Sequence, residues 1–133
     1  MSSYVLDASA VLALLNEEPG AEKVQALIDR GDCAVSVINV TEVLSKLSDH
    51  GLSLEEARFA LDTLELTERL LDGNLARSAA ALRPATRDKG LSLADRCCLA
   101  LTKSLDAVAV TADRSWLVLN LDIRVDCIRP VTE

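Results

Sequence analysis

The chain has 133 residues, half of them hydrophobic and 26% charged, the size and balance of one globular domain with a sizeable core, expected here over 1–133. No apolar run approaches the ~20 residues of a membrane span, and Met1-Ser2-Ser3 leads into an apolar segment without a basic leader, so no membrane association and a cytoplasmic location are expected. The net charge of −7 speaks against a general nucleic-acid binder, but carboxylates gathered around divalent cations stop repelling phosphate, and an acidic surface also suits a basic protein partner.

In chain order, Tyr4 to Leu6 reads as a first strand stopped by a single carboxylate, Asp7. Helix follows from Ser9 to Asn16 and breaks at Glu17-Glu18-Pro19-Gly20, and a second short helix spans Ala21 to Arg30. Cys33 to Val37 is nearly all apolar or small, as a parallel strand covered on both faces should be. Asn39 to Asp49 returns to helical spacing, and Ser53 to Glu56 has the pattern of a capping box opening a helix to about Leu64. Leu66 to Leu71 is ambiguous and is read as a short strand. An alanine-rich helix, Leu75 to Arg87, is bent or ended by Pro84. A helix opens at Leu91 to Asp95, a strand follows over Ala107 to Thr111, Val118 to Asp122 is loop, and Arg124 to Ile128 is an edge-like strand. Strands alternating with helices predict an α/β fold: a three-layer α/β/α sandwich with a central parallel sheet of four to five strands.

Cys33, Cys97, Cys98 and Cys127 show no CxxC and no His at ligand spacing, so they read as reduced, small hydrophobes. His50 reads as a solvated residue near a helix end. The acids are more informative. Asp7 follows the first strand, Glu42 opens the helix after the second, Asp95 opens the helix feeding the late strand, and Asp113 follows that strand. Each alone also has a structural reading: Asp7 as the N-cap of its helix, Glu42 three residues after Asn39 and Asp95 three after Ser92 as capping-box acids, and Asp113 as the start of a turn. Together they fall at one edge of a doubly wound sheet, where ligands bind. Four carboxylates there repel one another unless cations neutralise them, and oxygen-only ligation suits Mg²⁺ or Mn²⁺. Ser9, Ser92 and Thr111 are placed to hold the carboxylates or a metal-bound water, and Arg96 and Arg114, each directly after a cluster acid, are candidates for substrate phosphate or for exposed salt bridges. Such clusters perform phosphoryl chemistry by activating water. No Ser/His/Asp triad or glycine-rich phosphate loop competes.

Four stretches, VLDASAVLALLNEEPG with Asp7 and Ser9, SVINVTEVLSKL with Glu42, LSLADRCCLALT with Asp95 and VAVTADRSW with Thr111 and Asp113, make the chain resemble the PIN-domain ribonucleases nearly end to end, specifically the toxins of VapBC-type toxin–antitoxin pairs. The resemblance implies a Mg²⁺- or Mn²⁺-dependent endoribonuclease acting on RNA, with Asp7, Glu42, Asp95 and Asp113 as catalytic and metal-holding acids. It also implies a homodimer, and inhibition by a cognate antitoxin whose tail places an Arg among the acids. The apolar faces of Ala21–Arg30 and Asn39–Asp49 are candidate dimer surfaces. Positive charge is dispersed over Arg77, Arg83, Arg87, Lys89, Arg96, Arg114 and Arg129, so no basic face marks where RNA is gripped. Two other readings compete. A phosphatase or receiver domain would want a second Asp where Ser9 stands, or a Lys after a late strand, for which Arg114 is no substitute. A non-catalytic PIN-like binding module acting through a protein partner would use the acids only as caps.

Overall fold

The computed structural model describes residues 2–129; Met1 and residues 130–133 of the expected domain lie outside them. The elements run β1 (Tyr4–Leu6), α1 (Ala8–Leu15), α2 (Ala21–Asp29), β2 (Cys33–Ser36), α3 (Val37–Asp49), α4 (Leu54–Asp62), β3 (Thr67–Arg69), α5 (Gly73–Ala81), α6 (Arg83–Thr86), α7 (Leu93–Ser104), β4 (Val108–Thr111), a 3-10 helix (Arg114–Val118) and β5 (Arg124–Cys127). The strands form one sheet in the order β3-β2-β1-β4-β5, every neighbouring pair parallel. Helices cover both faces, and the architecture is the α/β/α sandwich expected.

Side-chain alternation along the strands makes the layers. In β1, Val5 points to one face and packs with Leu99 and Leu101 of α7, Ala109 of β4 and Trp116. Its neighbour Leu6 points to the other, against Val11 of α1, Val24 of α2, Val43 of α3, Leu61 of α4 and Val110 of β4. Both Val5 and Leu6 are fully buried, each side chain contributing about 1.5–3 kcal/mol of hydrophobic stabilisation. A strand apolar on both faces can only be central, and β1 is.

Several boundaries differ from expectation. α3 begins at Val37, two residues early, because the Ser36 hydroxyl accepts from the Ile38 N–H (3.2 Å) and caps it. β3 is only Thr67–Arg69, and all three residues are exposed, so its polar edge carries no apolar signal. The helix expected over Leu75 to Arg87 divides into α5 and α6, with Pro84 in the first turn of α6, where its missing N–H costs nothing. A turn of 3-10 helix over Arg114–Val118 joins Asp113 to the segment expected as loop from Val118. The apolar faces offered as dimer surfaces are spent inside the chain: Val24, Leu27, Val43 and Leu47 all belong to its own core. Among the described residues no helix is long and apolar enough to cross a membrane.

The segment after β5 is tied back across the start of α2. Ile128 is buried, Lys23 pairs with Asp126 at 2.7 Å and Arg129 reaches Glu18 at 3.5 Å. Gly20 permits this approach: its φ is +100°, and a Cβ there would stand 2.7 Å from the Ile128 side chain and 2.9 Å from its carbonyl oxygen. Gly20→Ala therefore combines a left-handed backbone with a backbone clash, and should lower the unfolding free energy by about 1–3 kcal/mol. Urea denaturation checks this; an unchanged midpoint would mean the tie yields freely.

Candidate active site

Asp7 ends β1 and starts α1. Its N–H donates to the Val110 carbonyl (3.0 Å), continuing the sheet, while its extended backbone (φ −83°, ψ 176°) makes it the N-cap of the helix. The side chain is 4% exposed and fully engaged. Oδ1 accepts from the Ala10 N–H (2.8 Å) and the Ser9 hydroxyl (2.7 Å), and Oδ2 from the Thr111 hydroxyl (2.6 Å). Each hydroxyl in turn accepts from backbone: Ser9 Oγ from Ala112 N–H (2.9 Å), Thr111 Oγ1 from Asp113 N–H (3.0 Å). Burial raises the Asp7 carboxyl from its ordinary 3.8 to about 6; the three hydrogen bonds pull it down, and the nearby charge of Asp95 pushes it up.

The other three acids reach the same place from separate segments. Glu42 lies in the second turn of α3, not at its start, and accepts from the Nδ2 of fully buried Asn39 (2.8 Å). Asp95 closes a capping box with Ser92 at the start of α7: Ser92 Oγ accepts from Asp95 N–H (3.1 Å) and Asp95 Oδ2 from Ser92 N–H (3.0 Å). Asp113 caps the 3-10 helix, its Oδ1 accepting from Ser115 N–H (2.9 Å). All four acids line one cleft of about 400 Å³ at the C-terminal edge of the sheet, together with Ser9, Leu12, Asn16 and Glu18. The fully buried thiol of Cys98 lies near three of the acids: burial pushes it up, and so do the charges of Asp7, Asp95 and Glu42.

Among the described residues no three His, Cys, Asp or Glu side chains are arranged to hold a metal ion, since each acid is turned to its own hydrogen-bond partners. The donor chemistry nonetheless fits a hard divalent cation: four carboxylates in one cleft, the most buried of them held above its ordinary pKa. Ser9 and Thr111 hold Asp7, and Ser92 holds Asp95 through its backbone. The two arginines do not join them. Arg96, one residue and about 100° around the helix from Asp95, turns to α5 and donates to the Ala79 carbonyl (3.4 Å), and exposed Arg114 does not line the cleft. Lys46, His50 and Arg129 do line it; sequence reasoning did not mark them as site residues, although Lys46 and His50 repeat the helical spacing from Glu42.

The Asp7 shift has a consequence for stability. Between about pH 4 and 6 the folded state binds the extra proton, so stability falls as pH rises through that window, by on the order of 3 kcal/mol in total. In EDTA, Asp7→Asn should therefore lose less stability than the wild type between those pH values. Equal slopes from urea denaturation would show that Asp7 carries no such shift.

No curated protein matches the chain by sequence. Its fold is similar to the crystal structure of VapBC2 from Rickettsia felis bound to a promoter DNA fragment (TM-score 0.74, 17% identity, 92% of this chain and 96% of that one). It is likewise similar to DNA-bound VapBC from Salmonella typhimurium (TM-score 0.75, 18% identity, 96% and 99%) and to a toxin–antitoxin complex from Klebsiella pneumoniae (TM-score 0.73, 18% identity, 97% and 100%). At these identities the likeness is one of fold. The family model of the PIN domain, a family generally of nucleases, matches residues 4–120, and the chain belongs to the PIN domain family.

Proposed function

We propose that the chain is a Mg²⁺- or Mn²⁺-dependent endoribonuclease, the toxin of a toxin–antitoxin module, with Asp7, Glu42, Asp95 and Asp113 as its catalytic acids. The observation that carries this reading is the meeting of four carboxylates from four chain segments in one cleft of a PIN domain. Asp7, Glu42, Asp95 and Asp113 would hold the cation. Bound there, it would supply an acidified water and positive charge against the phosphate. Ser9 and Thr111 fix both oxygens of Asp7, so that carboxylate is a rigid reference for whatever binds beside it. Glu42 and Asp95, half-buried, and Asp113, exposed, form the open side from which a phosphodiester and water enter.

The partners follow from the same reading. The relatives of similar fold include VapBC and toxin–antitoxin complexes, and a surface of net charge −7 favours a basic antitoxin segment. A homodimer is part of this proposal, and Leu54 and Phe59, 62% and 73% exposed on α4, offer apolar surface for it or for the antitoxin.

Purified protein should cleave single-stranded RNA with Mg²⁺ or Mn²⁺ and not with EDTA, and Asp7→Asn or Asp95→Asn should lower the rate by at least about 100-fold. Either metal should also raise the melting temperature of the wild type by mass action, and less so that of Asp95→Asn. Intact cleavage in both variants would refute the site. Absence of cleavage and of any metal response would leave the PIN-like binding module acting through a protein partner.

A further inference from the structure

The acid cleft is also lined by basic side chains. Lys46 and His50 follow Glu42 by one and two turns on the same stripe of α3, and all three line the cleft. Arg129 lines it as well, delivered by the segment that buries Ile128 against Gly20.

The ordinary roles of these side chains do not account for that arrangement. A Lys four residues after a Glu is expected to pair with it on the helix surface, but the Glu42 carboxylate is taken by Asn39 from the buried side, and among the described residues Lys46 makes no ion pair. His50 ends α3 through its backbone N–H, bonded to the carbonyls of Lys46 and Leu47, which leaves the exposed ring uncommitted to protein among the described residues. Support from the C-terminal dipole of α3 explains a cation at that helix end, though not its place beside four acids. Arg129 touches Glu18 at 3.5 Å through Nη2 alone, and one such contact does not exhaust the five donors of the guanidinium.

We infer that Lys46, His50 and Arg129, all lining the cleft, form a backbone-phosphate subsite beside the four acids, gripping a phosphodiester of single-stranded RNA adjacent to the one hydrolysed. The inference rests on the nuclease reading above. A polyanion lying across four carboxylates is repelled on either side of any bound cation, and the charges of Lys46 and Arg129, with the His50 imidazole as a hydrogen-bond partner, offset that repulsion where the next phosphate falls. The contacts are to phosphate, so they hold the strand without selecting a base.

The test uses Lys46→Gln, His50→Gln and Arg129→Gln, with Lys89→Gln, an exposed lysine outside the cleft, as control. Cleavage of a labelled single-stranded RNA of about twelve nucleotides is followed with Mn²⁺, and its binding by anisotropy with Mg²⁺ and with EDTA, at about 50 to 300 mM salt. Each cleft variant should raise KM about fivefold with little change in kcat and loosen binding by a similar factor, and Lys46→Gln and Arg129→Gln should also flatten the salt dependence by roughly 0.7 in log–log slope for each phosphate no longer neutralised, while the control changes none of these. Wild-type cleavage with unaltered KM, binding and salt slope in the variants would overturn the subsite, leave the nuclease reading standing and assign these side chains to a protein partner. Wild-type protein that binds RNA without cleaving it, with the variants binding less tightly, would keep the subsite and overturn the hydrolysis. Neither binding nor cleavage would overturn both.

Discussion

A carboxylate buried at the end of the central strand has to be satisfied entirely by protein, and the way Asp7 is satisfied shapes everything around it. Two hydroxyls each spend their single proton on it, so each has to find its own donor, and both find one in the backbone just beyond β4. The result is a pair of relays, from Ala112 through Ser9 and from Asp113 through Thr111, that lock the end of β4 to the end of β1. Desolvation still wins over these bonds, which is why the carboxyl sits near 6 and not below its ordinary value. The backbone that carries Asp113 is thus positioned by the same hydrogen bonds that hold Asp7.

Topology brings in the remaining acids. From β1 the chain moves outward through β2 to β3, then crosses back through α7 to β4 and on to β5, so the order reverses between β1 and β4. That reversal opens a crevice at the C-terminal edge, and it lies beside Asp7. Helices running antiparallel to the strands begin at this edge, which is why α7 presents Asp95 there, and α3, entered directly from β2, presents Glu42 one turn in. The crossover rule alone would put helix starts here in any such sheet; the carboxylates at those starts are particular to this chain.

Much of this was legible because a parallel sheet covered on both faces requires short uninterrupted apolar runs, and β1, β2 and β4 have them. β3 was blurred for the complementary reason: as an exposed edge strand of Thr67, Glu68 and Arg69 it has no apolar side to declare. The start of α3 was misplaced because Asn39 resembles a cap in sequence, whereas Ser36 does the capping and Asn39, fully buried, gives its side chain to Glu42 instead. Arg96 looked eligible for phosphate by adjacency to Asp95, but adjacent residues on a helix face different ways, and its guanidinium goes to Ala79. The basic lining of the cleft was harder to read for another reason. Lys46 and His50 follow Glu42 at helical spacing, but that spacing does not say that this stripe of α3 faces the cleft, and Arg129 comes from beyond β5, a meeting that only the fold arranges.

Capping a helix start and lining the cleft do not exclude one another. Asp7, Asp95 and Asp113 each cap a helix start and each line the cleft. A helix N-terminus favours a negative side chain through its unpaired N–H groups and dipole, so three of the four carboxylates are supported by the chain itself. Glu42, a turn inside α3, lacks that support and has the buried amide of Asn39 in its place. Mutual repulsion among the acids is thereby offset locally, acid by acid. What the caps cannot offset is the burial of Asp7. A cation arriving in the cleft would therefore gain most at that carboxylate, the one whose oxygens are already fixed by Ser9 and Thr111, while the partners on the other three are contacts that a ligand can share or replace.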